Sequence, residues 1–293
     1  MSFISYLVGG ISLGSVYALI AIGYTMVYGI AKMLNFAHGD VIMVGGFTVF
    51  TTVTTLGYNP LIGILAGVVV CTLLGVVIEK VAYKPLRNAS PLSVLITAIG
   101  VSYLLQNLAL LVFGPNPQTF KSVVTIPAWR INDQLTISGE TIATIAATLV
   151  IMVALTLFVN KTKIGRAMLA VSEDKGAAQL MGVNVNRTIS ITFAIGSALA
   201  AVAGVLLCSS YPQISAYTGQ MPGIKAFTAA VFGGIGSIPG AMIGGVLLGV
   251  IEKICLAVPV LAPYTTAVEF SLLILILLVR PIGLLGKKRR EKV

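Results

Sequence analysis

Charge is what this sequence has least of. Only 10% of its 293 residues are Asp, Glu, Lys or Arg, against about 25% in soluble domains. With 57% of residues hydrophobic and a mean hydropathy of +1.00, the apolar stretches have to be read as membrane spans, and a water-soluble chain is excluded. Acids and imidazoles are scarce too. Nine carboxylates and one histidine, His38, leave too little for an acid–base or metal constellation, which argues against an enzyme. The three cysteines, Cys71, Cys208 and Cys255, all lie in apolar runs without metal-ligand spacing and are read as buried space-fillers. No G-x-x-x-x-G-K-[ST] pattern occurs, so the chain cannot cradle a nucleotide phosphate in that manner, and any ATP must be hydrolysed by another chain. No basic face is interleaved with aromatics, so nucleic acid is not an expected partner.

What is present is a succession of apolar runs, at 4–28, 37–56, 60–79, 92–113, 140–160, 188–210, 223–237, 240–258 and 263–280. At about 20 residues per span, these fill most of the chain. The expected fold is therefore an all-α polytopic bundle of eight to nine crossings forming one transmembrane domain over 1–293. The N-terminus has no basic region and enters an apolar run too long for a signal peptide, so a retained first span is expected. The net charge of +10 resides mostly in clusters between or after the runs: Lys80, Lys84 and Arg87; Lys161, Lys163, Arg166, Lys175 and Arg187; and the terminal run Lys287 to Lys292. Positive charge marks the cytoplasmic side. That rule puts the N-terminus outside, the loop 161–187 and the tail 281–293 inside, and calls for an odd number of crossings. Sequons at Asn88, Asn160 and Asn186 fall on the inner side and are treated as chance.

The run 223–237 barely crosses a bilayer, because Gly233, Gly234, Gly236, Pro239 and Gly240 break any helix there. The break is either a short turn or part of a pathway, since irregular backbone at membrane depth must be buried in protein or line a wet cavity. Small-xxx-small spacings at Gly10 and Gly14, Gly63 and Gly67, and among Gly236, Gly240, Gly244, Gly245 and Gly249 favour close helix packing. The outer segment 114–139 is long for a connection and carries β-prone pieces at 122–126 and 134–137. It is either a docking surface or a solvated connector.

Ionisable or polar residues inside spans are the candidates for a translocation path. Asn35 is suited to cap the second span, with Asp40 in its first turn, and His38 beside Asp40 offers either a proton relay or a local structural role. By helix rise Glu252 lies about 18 Å from the inner end of its span and Glu269 about 9 Å from the outer end of its own. Lys253 with Glu269 is a candidate inter-helix pair. In the fourth span Thr97, Gly100, Leu104 and Asn107 follow helical spacing and make a face that either lines a pore or packs on a neighbour.

The inner loop from Ile164 to Gly182 predicts a short helix: Ser172 as N-cap, Glu173 and Asp174 at the positive end of the dipole, Ala177, Ala178, Leu180 and Met181 continuing it, and Gly182 as a left-handed stop. Such an element is either a docking helix or a membrane-surface helix.

Three ordered motifs carry a resemblance over essentially the whole chain: Gly23-Tyr24-Thr25-Met26-Val27-Tyr28-Gly29-Ile30 with Leu34-Asn35-Phe36-Ala37-His38-Gly39-Asp40; Ser172-Glu173-Asp174 with Ala177-Ala178 and Met181-Gly182; and Lys225-Ala226-Phe227 with the run Gly233 to Ala241. In these the sequence resembles the permeases of branched-chain amino acid ABC importers, specifically the shorter, H-type subunit. The resemblance implies a non-enzymatic inner-membrane subunit that binds no cofactor itself. A second related permease and two ATPase subunits carrying ATP and Mg, together with an external binding protein, would complete the importer. It also implies that 172–182 is the coupling helix seated in an ATPase cleft. Urea or short amides are an alternative cargo, and a stand-alone proton-coupled transporter is the alternative from another class.

Overall fold

The computed structural model describes residues 3–132 and 135–286. The terminal basic run from Lys287, and Gln134 of the second β-prone piece, lie outside the described residues.

Eleven α-helices order the described chain: α1 (Phe3–Ala31), α2 (His38–Phe50), α3 (Pro60–Ile78), α4 (Pro91–Phe113), α5 (Gly139–Lys161), α6 (Lys163–Glu173), α7 (Lys175–Leu180), α8 (Val185–Ser210), α9 (Gln220–Gly233), α10 (Ile238–Ala257) and α11 (Thr265–Val279). Helix starts follow local chemistry. Asn59, Ser90, Ser138, Thr162, Asn184 and Ser237 each accept a backbone N–H from the first turn of the following helix, and Pro60 and Pro91 open α3 and α4, where no N–H is needed. Gly114, at φ 80°, closes α4.

Two π-helical turns interrupt the regular pattern. Thr51–Thr55 extends α2, and there Thr48, Thr51 and Thr52 donate their hydroxyls to carbonyls four residues back at 2.8, 2.9 and 2.7 Å. Glu79–Tyr83 extends α3 and carries the fully buried Glu79 to Arg87 and to the hydroxyl of Ser190 on α8, which donates at 2.6 Å. Arg87 also donates to Asn186, so the basic segments around 80–87 and 161–187 lie at one end of the bundle. At the other end β1 (Gln118–Thr119), beyond α4, pairs antiparallel with β4 (Gln213–Ile214), beyond α8. A second antiparallel pair joins β2 (Trp129–Asn132) to β3 (Leu135–Ile137). The β-prone piece at 122–126 forms no strand; the partner of 135–137 is the segment around Trp129.

α1 is the hub, packed against α10, α8, α9 and α5. Its contact with α10 is set by glycine: a Cβ on Gly249 would lie 2.2 Å from the Gly14 nitrogen, and one on Gly245 would lie 2.4 Å from that of Ala18. The small-residue spacing thus becomes backbone-to-backbone contact. Cys71, Cys208 and Cys255 are all buried and unpaired, as expected.

Among the described residues seven helices are long and apolar enough to cross a membrane: Ile4–Ala31, Pro60–Leu86, Pro91–Phe113, Gly139–Lys161, Val185–Ser210, Ile238–Ala257 and Ala262–Val279. α2 and α9 are the two expected spans outside that set, at 13 and 14 residues. The break after α9 is a tight turn, with Gly234 at φ 105° and Gly236 at φ 98°, while Pro239 and Gly240 belong to the first turn of α10. Gly233 and Gly240 face each other so closely that a Cβ on Gly233 would lie 1.9 Å from the Gly240 carbonyl oxygen. The chain beyond α11 covers this turn: Leu284 and Leu285 donate their N–H groups to the carbonyls of Phe232 and Gly233 at 3.0 and 2.9 Å.

Candidate functional site

Three polar features stand out against the apolar bundle. The first is a cleft of about 290 Å³ where α1, α2, α4 and α9 meet, lined by Tyr24, Phe36, Asp40, Leu95, Ile99, Ser102, Tyr103, Gln106, Gln220 and Ile224. Asp40 is buried there, in the first turn of α2, and accepts a hydrogen bond from Gln106 at 2.9 Å. Asn35 does not cap α2. Ala37 stands at that position without a side-chain bond, because the Asn35 amide oxygen is taken by the Tyr83 hydroxyl at 2.9 Å. His38 points away from Asp40, as residues two apart on a helix must. Its ring packs edge-on against Tyr24 at 4.7 Å, and a Cβ on Gly23 would lie 2.6 Å from its Nε2. That nitrogen is buried with no hydrogen-bond partner among the described residues. The packing supports the structural role for His38 rather than a relay with Asp40.

The face Thr97, Gly100, Leu104, Asn107 turns outward. Leu104 is 58% exposed, Gly100 has open space beside it, and Asn107 bonds only back to the Tyr103 carbonyl at 2.7 Å. Val94, Ala98, Gln106 and Ala109 face the protein instead. The inward amide of α4 is Gln106, one residue before the Asn107 of the predicted face, and an amide inside an apolar span is the sequence signal for it.

The second feature is a buried quartet. Lys225 on α9 lies 2.8 Å from Glu252 on α10 and 3.2 Å from Glu269 on α11, and the Tyr17 hydroxyl of α1 donates to Glu252 at 2.8 Å. This corrects the pairing of Glu269 with Lys253, whose amine donates to the Tyr211 hydroxyl at 3.3 Å and lies over that ring. A helix places adjacent residues about 100° apart, so Glu252 turns inward and Lys253 turns aside. The same rule that singled out Glu252 applies to Lys225, a cation inside an apolar run.

The third feature is the loop 161–187, which holds two helices rather than one. Ser172 is inside α6 and donates to the Leu169 carbonyl at 2.7 Å, and Glu173 ends that helix. The cap of α7 is Asp174, whose carboxylate accepts the Ala177 N–H at 2.9 Å. α6 buries Gly165, Met168 and Val171, and α7 buries Ala178. Leu180 and Met181 at the tip are 90% and 85% exposed, and Gly182 at φ 82° supplies the expected stop. Lys175 donates to the carbonyl of Ala31 at the end of α1 at 3.0 Å. Burial, then the nearby Arg87 guanidinium, hold the Lys175 amine below its ordinary pKa.

Among the described residues no group of three or more His, Cys, Asp or Glu could hold a metal ion. A multi-pass helical protein with buried ionic contacts between spans, a polar cleft and a protruding apolar-tipped loop has the build of a membrane permease. The family model described as "Branched-chain amino acid transport system / permease component" matches residues 6–277. The chain is 45% identical to the high-affinity branched-chain amino acid transport system permease protein LivH of Salmonella typhimurium, over 99% of this chain and 98% of that one. It is 44% identical to the corresponding BraD of Pseudomonas aeruginosa, over 99% and 98%. One solved structure, PsaBC from Streptococcus pneumoniae in complex with Fab, overlaps with a TM-score of 0.46 and 15% identity over 98% of this chain and 93% of that one, too loosely to carry an argument. The chain belongs to the branched-chain amino acid transport system permease family.

Proposed function

We propose that this chain is the transmembrane permease subunit of an ABC importer that moves leucine, isoleucine and valine across the bacterial inner membrane. The observation that carries this is near end-to-end similarity to permeases named for that transport, at 45% and 44% identity. The importer's remaining parts are two ATPase subunits that bind ATP and Mg, an external binding protein, and a second, related permease. Alternating access requires that ATP and the loaded binding protein each favour a different state of the spans.

The loop 161–187 supports an ATPase-docking role. α7 is short, capped at Asp174 and stopped at Gly182, and it presents Leu180 and Met181 to whatever covers them. Exposed apolar side chains on a basic loop fit a protein cleft. The coupling element comprises Asp174, Ala177, Ala178, Met181 and Gly182 of the predicted set, with Ser172 and Glu173 in the helix that leads to it.

The chain makes nine traverses, with the N-terminus outside and the C-terminus in the cytoplasm. α2 and α9 are the two short ones. With its π-turn α2 runs over residues 38–55, roughly 27 Å, and α9 runs roughly 21 Å. The tight turn into α10 brings Gly233 against Gly240, as two antiparallel neighbours require.

The test is uptake into proteoliposomes containing the complete importer. ATP-dependent entry of leucine, isoleucine and valine delivered by the binding protein is the expected result. Entry of urea or short amides alone would move the cargo, and uptake by this chain alone under a proton gradient would overturn the ABC assignment.

A further inference from the structure

Two of the three buried acids among the described residues have a cation beside them: Glu79 has Arg87, and Glu269 shares Lys225 with the part-buried Glu252. Asp40 is the exception. It is 2% exposed, and among the described residues it pairs with no lysine or arginine. Its side-chain hydrogen-bond partners are both neutral, the Ser102 hydroxyl and the amide of Gln106, the latter at 2.9 Å. A carboxylate held away from bulk water is stable only with a counter-charge or a proton. Unlike those acids, Asp40 borders the cleft of about 290 Å³. A cation that enters the cleft meets an acid already aimed by Gln106.

The remaining walls narrow the kind of cation. Phe36, Leu95 and Ile99 supply an apolar lining, so the ligand carries a hydrocarbon part. Gln220, exposed in the cleft wall, is the first residue of α9: its side-chain amide can donate to a negative group, which the helix dipole at this end also favours. The volume is at the lower end of the range of about 300–1,000 Å³ typical of drug-sized ligands, which suits a small molecule. Ammonium, carboxylate and short aliphatic side chain together describe a zwitterionic aliphatic amino acid.

We propose that the cleft is a cargo station in which the Asp40 carboxylate receives the α-ammonium group, Gln106 holds that carboxylate in place, and Leu95 and Ile99 take the side chain. This rests on the amino-acid cargo of the preceding section and adds the residues that touch it. Ile99, which lines the cleft, is 42% exposed.

The experiment compares Asp40→Asn, Asp40→Glu and Ile99→Trp in the complete importer, reading leucine uptake and ATP hydrolysis stimulated by the loaded binding protein in the same vesicles. Asn keeps the acceptor for Gln106 and removes the charge. Uptake in Asp40→Asn should fall at least tenfold while stimulated ATP hydrolysis stays within twofold, and Asp40→Glu should recover part of the loss. Ile99→Trp, at an exposed position that perturbs no core packing, should lower uptake about fivefold by filling the mouth, and it carries the test if Asp40→Asn does not insert. Asn also mimics a protonated Asp, so an Asp40→Asn importer that takes up leucine within twofold of the parent overturns the proposal in favour of a buried neutral acid. Unaltered uptake in Ile99→Trp overturns it as well. A parent importer that takes up no aliphatic amino acid at all refutes the cargo assignment and the station with it, whereas an active parent with an indifferent Asp40→Asn refutes the station alone.

Discussion

The ammonium of Lys225 stands 2.8 Å from the carboxylate of Glu252, tying α9 to α10 inside the bundle. Glu269 of α11 shares the same ammonium at 3.2 Å, and Tyr17 of α1 adds a hydroxyl, so one lysine holds four helices. Lys225→Met would leave the buried Glu269 and the part-buried Glu252 carboxylates near each other without a cation. Removing one partner of a buried pair costs about 3–5 kcal/mol, and this removal strands two acids. The expected result is the largest loss of thermal stability of any single change in the quartet. Glu269→Gln should cost less, because Lys225 keeps Glu252. Melting of the purified importer in detergent checks the order, and a Lys225→Met protein as stable as the parent would show that the quartet contributes nothing to holding α9.

Glycine spacing makes a second prediction, in which two glycines behave oppositely. A Cβ on Gly249 would lie 2.2 Å from the Gly14 nitrogen, where backbone meets backbone and no side chain can yield. Gly249→Ala should therefore separate α1 from α10 and destabilise by about 1–3 kcal/mol, the usual range for overpacking. Gly100 sits mid-helix in α4 with nothing within 4 Å of its would-be Cβ. Gly100→Ala should be neutral or stabilise by up to about 1 kcal/mol, since Ala loses less freedom than Gly on entering a helix. The pair measured side by side in thermal unfolding separates packing from propensity.

Those two glycines also show what could be read from the amino-acid string. Long apolar runs and small-residue spacings report on span length and on closeness of neighbours: the seven long helices and the glycine break after α9 lie close to their expected places, while the spacings signalled close packing without saying that α1 and α10 would be the pair. Rotation about each helix axis was not legible. Lys253 and Lys225 are both cations among apolar residues, yet the turn of α10 sends Lys253 to Tyr211 and leaves Lys225 for the acids. The same uncertainty of about 100° per residue exchanged Asn107 for Gln106 as the inward amide of α4. Asn35 failed as a cap for a different reason: Tyr83, distant in sequence, competes for its oxygen.

The cap of α7 gives a third prediction, because the structure exchanges Ser172 for Asp174. Asp174 accepts the Ala177 N–H, whereas Ser172 bonds within α6 to the Leu169 carbonyl. Asp174→Ala should destabilise α7 by about 1 kcal/mol, the typical cost of losing an N-cap. Ser172→Ala should have almost no effect on that helix. Amide hydrogen exchange over Lys175–Leu180 in the intact importer reads the difference directly. Faster exchange in Ser172→Ala than in Asp174→Ala would restore the capping role to Ser172.

Lys175 offers the last test, of how motion at the loop reaches the spans. Its amine donates to the Ala31 carbonyl at 3.0 Å, joining the first residue of α7 to the end of the helix around which the bundle packs. If α7 is the element that ATPase subunits move, this bond is one of the shortest routes from that element to α1. Lys175→Met keeps much of the aliphatic stem but loses the donor, leaving the carbonyl of Ala31, a residue 1% exposed, without it. Stability should therefore fall by about 1–3 kcal/mol, the cost of a buried acceptor left without its donor. Transport should change more: the expected outcome is ATP hydrolysis near the parental rate with leucine uptake reduced severalfold, a loss of coupling rather than of folding. Lys175→Arg, which retains a donor, should restore part of the uptake. Measuring both rates in the same vesicles decides the matter, because parallel loss of hydrolysis and uptake in Lys175→Met would mean that the residue supports ATPase docking, not transmission to α1.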